Sequence, residues 1–270
     1  MEGGGIRKAI TSFTAPGLAT IAAELRAGTA RECNEFAARL CRDHPTRFGM
    51  FATLPLPDVD ATLREIEFAY DVLRCDGVCL LSNYDGMYLG DERYHPVYEA
   101  LERRRAVAFV HPTSPASPVS VGFSLSSLEF PLDTTRTAAS LMLAGVPRRF
   151  PSVRFILSHA GGAIPYLVER LDLLSRNNEQ LLKHAPNGFA AECGKFYMDT
   201  ALSMGVATLS ALRKIVPLDH VLFGTDYPFG PPRQVNLAVD ALGGLPMSEA
   251  DRVGIEHHHA RILFSHEHAA

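Results

Sequence analysis

Short apolar runs alternate with longer amphipathic stretches from one end of the chain to the other. Ile6–Phe13, Phe48–Leu54, Gly77–Leu81, Ala106–Val110, Val153–Leu157, Phe196–Asp199 and Val221–Phe223 read as strands, and all but the first, which carries Arg7 and Lys8, are largely apolar, the pattern of strands covered on both faces. Between them, Leu18–Asp43, Val59–Leu73, Tyr94–Arg104, Thr134–Ala144, Ala163–Ser175 and Val206–Ile215 space their apolar residues as helices do, and more helix is expected after residue 230. Thr14-Ala15-Pro16-Gly17 closes the first strand and His44-Pro45 the first helix. Asn83–Asp91 reads as a loop, and so does His111–Pro131, a Ser- and Pro-rich stretch long enough to predict a functional role. The unbroken β/α alternation, without linker or repeat, predicts one α/β domain over residues 1–270 built on a parallel sheet.

Three of the runs end in chemically loaded loops: His111-Pro112-Thr113, Ser158-His159-Ala160-Gly161-Gly162 and Gly224-Thr225-Asp226-Tyr227-Pro228-Phe229. A parallel barrel places its active site on such strand-to-helix loops, so His111, His159 and Asp226 are candidate catalytic or metal-binding residues of an enzyme. Simpler roles stand beside these. A strand-end histidine can be structural, Asp226 can cap a helix, and Gly161-Gly162 can let a helix start close to the sheet or offer amides to an anion.

Composition narrows the class. The net charge is −4 and the 26 Lys and Arg are scattered, which excludes a nucleic-acid surface. No apolar run reaches the roughly 18 residues of a membrane span, and the first residues lack the features of a signal peptide. The 5 cysteines are odd in number and widely spaced, the usage of free thiols in a reducing compartment, so a cytoplasmic location is expected. The histidines His257, His258, His259, His266 and His268 lie on a terminal segment away from the strand-end loops and read as surface residues.

The three loops, together with Gly5-Ile6 through Pro16-Gly17, Arg47-Phe48-Gly49 through Leu54-Pro55 and Asp76-Gly77-Val78, resemble the amidohydrolase-related decarboxylases typified by aminocarboxymuconate semialdehyde decarboxylase. Asn83-Tyr84-Asp85-Gly86 and Asp133-Thr134-Thr135-Arg136 resemble the 6-methylsalicylate-decarboxylating branch. The resemblance implies a TIM-type (β/α)8 barrel with one divalent metal, zinc or alternatively manganese, and non-oxidative decarboxylation of a small aromatic hydroxy acid. It assigns His111 and Asp226 as metal ligands and His159, with Asp226, to proton transfer. It also implies Arg170, Arg136, Tyr84, Thr113 and Phe229 at the substrate, and a homodimer in which Arg170 serves the neighbouring site. Two further ligands of the family, a His-x-His on a first strand, have no counterpart near the start of this sequence. The chain is therefore expected to be an N-terminally truncated barrel lacking its first strand, with weakened metal binding and impaired activity. Hydrolysis of a small ester, lactone or amide, or a non-catalytic role as a binding or dimer partner, are the alternative expectations.

Overall fold

Seven strands form one parallel sheet in the order in which they occur in the chain. The structure is a computed structural model that describes residues 2–230 and 233–265. The strands are β1 (Ala9–Thr11), β2 (Phe48–Thr53), β3 (Gly77–Leu81), β6 (Val107–His111), β7 (Arg154–Leu157), β8 (Tyr197–Asp199) and β9 (Val221–Leu222). A two-stranded hairpin, β4 (Asn83–Tyr84) with β5 (Met87–Tyr88), interrupts the region expected as a loop. Helices follow the strands on the outside, including α1 (Ala23–Asp43), α2 (Val59–Asp71), α3 (His95–Arg103) and α4 (Leu125–Leu143). This is the TIM-type arrangement. Among the described residues no ladder joins β1 to β9, so the sheet is curled but not closed.

The inner strands form where they do because both of their faces are covered, while β1 at the edge is half-buried. β3 is buried at every residue and β2 at all but its first, so Val78, Leu80, Met50 and Ala52 pack outward into the large core shared with the helices. The alternate residues Phe51, Cys79, Ile156 and Leu222 fill the barrel interior, where Phe51 stacks on Phe109 at 5.4 Å and Phe264 of the last helix closes the bottom. Past Thr11, the outer edge of β2 loses its strand partner, and a side chain replaces it. Asn34 of α1 donates to the Thr53 carbonyl at 2.9 Å and accepts the Thr53 N–H at 2.7 Å. Its amide also donates to buried Glu65 at 2.8 Å, which Arg31 neutralises at 2.9 Å.

The expected loop His111–Pro131 is shorter than the sequence suggested, because α4 begins at Leu125 and contains Pro131. A proline within a helix forfeits one backbone bond, which packing must offset. It does so here: Asp133, Thr134 and Thr137 are fully buried on α4, and Thr135 Oγ1 accepts the Ala163 N–H at 2.8 Å. Phe155 sits between Tyr98 and Phe196 and is only 2% exposed. Phe155→Ala should therefore cost about 3–5 kcal/mol of unfolding free energy, readable by urea denaturation with an unchanged m-value.

Candidate metal centre

His111 is the last residue of β6, His159 follows β7 by two residues, and Asp226 lies in the loop after β9. Strand order brings these three loops to the same end of the barrel. Their ligating atoms all lie within 4.8 Å of one another: His111 Nε2 is 3.4 Å from Asp226 Oδ1, and His159 Nε2 is 3.4 Å from Asp226 Oδ2. Both histidines are buried, and Asp226 is nearly so. No helix starts at Asp226, so the capping role expected as its simpler alternative is not what the side chain does.

The backbone is bent to make this arrangement. His159, Ala160, Gly161 and Gly162 have φ of 55°, 57°, 73° and 67°, four successive left-handed residues, and Asp226 has φ of 55°. Non-glycine residues reach that region at a cost and hold it only where the surroundings impose it. Here a buried carboxylate imposes it: Asp199, closing β8, accepts the backbone N–H groups of His159 at 2.8 Å and Ala201 at 3.0 Å. Gly162 is required for a different reason, since a Cβ there would collide with the Pro131 carbonyl of α4. Gly162 thus lets α4 close over the loop, where Phe130 lies edge-on to His111.

The electrostatics follow from burial and from the carboxylate pair. Burial pushes the Asp226 carboxyl up, but the two imidazoles facing it outweigh burial and hold it at about 2. Burial pushes His159 down, yet hydrogen bonding to Asp226 and the charges of Asp199 and Asp226 carry its net shift upward. Asp199 is raised, chiefly by burial. In the metal-free protein the depressed Asp226 therefore contributes stability that is present above its unfolded value near 4 and is lost as pH falls toward 2. The raised His159 contributes stability that is present below about 6.5 and is lost as pH rises through its folded value. Unfolding free energy should thus peak between these limits, and His159→Asn should remove the alkaline limb.

The donor set fits a divalent metal. A spacing of 3.4 Å is long for an N–H···O bond, whose mode is about 2.9–3.0 Å. It matches the edge of about 3.4 Å between two donors held about 2.0–2.1 Å from a common tetrahedral centre. His111 Nδ1 lies 2.8 Å from the Pro112 carbonyl, a contact that places the ring proton on Nδ1 and leaves Nε2 bare as a ligand. His159 Nε2 is buried without a well-aligned hydrogen-bond partner and points into the same space.

The other expected site residues are more scattered. Tyr84 and Thr113 line a cleft of about 240 Å³ at the ends of β1, β2 and β3. Tyr84 accepts the Leu81 N–H at 3.0 Å, and the Thr113 N–H donates to Ser82 Oγ at 3.0 Å. Arg136 lies 3.5 Å from Glu129 and 3.7 Å from Asp133, so its charge is engaged within α4. Arg170 is exposed on the helix Ile164–Ser175, and Phe229 is 65% exposed on its loop. Asp199 escaped the sequence reading although it ends a strand as His111 does, which was the available signal. His257 and His258 are exposed, and His259 reaches the Val221 carbonyl at 3.0 Å; His266 and His268 lie outside the described residues.

Comparison with known proteins places the chain among relatives. The chain is 36% identical over 260 residues to the decarboxylase yanB of Aspergillus niger, covering 90% of this chain and 70% of that protein. It is 38% identical over 228 residues to the 6-methylsalicylic acid decarboxylase of Penicillium expansum, covering 82% and 70%. Among solved structures, a dihydroxybenzoic acid decarboxylase from Polaromonas sp. JS666, with bound manganese and the inhibitor 2-nitroresorcinol, superposes with a TM-score of 0.81 at 26% identity. That match covers 98% of this chain and 83% of the other. Residues 14–265 match the family model described as Amidohydrolase, and the chain accordingly belongs to the amidohydrolase family.

Proposed function

We propose that this protein is a metal-dependent carboxy-lyase that decarboxylates a small aromatic hydroxy acid of the 6-methylsalicylate type. The observation that carries the reading is the convergence of His111, His159 and Asp226 within 4.8 Å on three strand-end loops, in a chain whose relatives are decarboxylases of such acids. In this reading His111 and Asp226 hold the metal, zinc or manganese, and His159 carries the proton. A divalent cation bound there would act as a Lewis acid and template for the substrate's carboxylate and neighbouring hydroxyl.

The chain's own groups supply the rest. His159 Nε2 gives its proton to the ring carbon that bears the carboxylate. The bond to the carboxylate then breaks, carbon dioxide leaves, and the electron pair restores the aromatic ring. Asp226 and Asp199 favour the protonated imidazole from two sides, and the left-handed turn at His159 fixes its direction. Burial by α4 and Phe130 keeps bulk water from competing for the proton. Tyr84 and Thr113 border the substrate on the cleft side. Arg170 and Phe229, exposed on one chain, fit a second copy bringing its surface to the site, so we include a homodimer in the proposal. No described helix is long and apolar enough to cross a membrane, and five free cysteines support a cytoplasmic setting.

The test is to incubate chelator-stripped and metal-reconstituted protein with 6-methylsalicylate and follow the phenolic product. Product formed only after reconstitution supports the reading. Hydrolysis of aryl esters or lactones without loss of carbon dioxide from the acid would replace it with the hydrolase.

A further inference from the structure

We propose that Arg26 anchors the substrate's carboxylate, making the cleft beside the metal centre a binding site for a single-ring aromatic acid; the inference rests on the decarboxylase reading and sharpens it. The cleft holds about 240 Å³. A protein cavity of about 150 Å³ admits benzene, so this one suits one ring with a few small substituents. Phe13, Leu18, Leu54 and Leu81 supply apolar walls. The cleft lies on the same rim as the metal centre: Leu81, which lines it, pairs in register with His111 on the adjacent strand, and Thr113, also in its lining, lies two residues beyond His111.

The charge pattern is what selects an anion. Cys79 is pushed up to about 12 by burial, and burial also raises the Tyr84 phenol, so both are neutral in the working range. The charged lining residues are Arg26 and Asp85, and Asp85 sits exposed at the hairpin turn. Arg26, on α1, donates from Nε to the Ile21 carbonyl at 3.0 Å and from Nη2 to the Ala19 carbonyl at 3.4 Å. Carbonyls orient a guanidinium without neutralising it. Among the described residues no carboxylate lies in ion-pair range of Arg26, whereas Arg136 is engaged by Glu129 and Asp133 and neither Arg136 nor Arg170 lines the cleft. A half-buried, uncompensated guanidinium beside an apolar ring-sized space is best satisfied by the anion its planar fork matches, a carboxylate.

The charge on that carboxylate disappears as carbon dioxide departs. Until then, through protonation of the ring carbon, Arg26 stabilises the bound acid and the transition state alike, so its effect belongs in KM rather than kcat. The experiment titrates salicylate and phenol into wild type, R26A and R26Q by calorimetry, with melting curves as the folding check and steady-state kinetics alongside. Salicylate should bind about 10- to 100-fold more weakly in both variants, with phenol unaffected and KM rising in parallel. Should R26A fold poorly, R26Q and R26K carry the test, R26K retaining part of the affinity through its charge. Unchanged salicylate binding, or equal loss of salicylate and phenol, would overturn the anchor. Turnover with an unmoved KM in R26Q would overturn it while leaving the decarboxylase reading intact. Arg26-dependent salicylate binding without turnover at saturating metal would do the reverse.

Discussion

His159→Asn is expected to lower kcat for decarboxylation by about 10²- to 10⁴-fold while leaving the bound metal at the wild-type level. The expectation follows from an asymmetry between the two histidines. His111 has its Nδ1 tied to the Pro112 carbonyl at 2.8 Å, as a metal ligand does, whereas the Nδ1 of His159 meets only Ser158 Oγ at 3.5 Å. His159 is favoured in its protonated form by Asp226 and Asp199, and a protonated imidazole offers no lone pair to a metal. Metal analysis and steady-state kinetics on one preparation decide the matter. Loss of metal together with activity would make His159 a ligand and leave the proton donor unassigned.

The opposite pattern is expected for His111→Ala and Asp226→Ala. Each should abolish the bound metal, with activity falling to background, a loss exceeding about 10³-fold, because the holding function has no substitute in the cluster. Asp226→Asn separates charge from shape. It keeps an oxygen donor but removes the negative charge that raises His159, so it should weaken the metal and also shift the alkaline limit of the rate to lower pH. Retention of metal and rate in Asp226→Ala would place the metal elsewhere.

The inner strands of the sheet could be read from the sequence because parallel strands covered on both faces leave continuous apolar runs, as Val78–Leu81 and Val107–Val110 do, whereas half-buried β1 was legible only by the turn that closes it. The core of the site was legible for a related reason: β6 ends on His111, and His159 and Asp226 follow β7 and β9 in short loops, so chain order located the cluster before its geometry was known. What was not legible depends on contacts between distant segments. The first turns of α4 look polar and contain Pro131, and only the pairing of Asp133 with Asn83 and Tyr88, both at 2.7 Å, explains how that stretch is buried as helix. The hairpin strands are two residues each, too short for any period to declare itself. Arg26 sits on a helix among other charged residues, and nothing in its spacing marks the cleft it lines.

The most direct measurement of the central claim is the rate of phenolic product formation from 6-methylsalicylate as zinc or manganese is added back to chelator-stripped protein. Without metal no product should form, and the rate should rise with added metal to a plateau. An equal rate in the stripped protein, or no product at saturating metal, would contradict it.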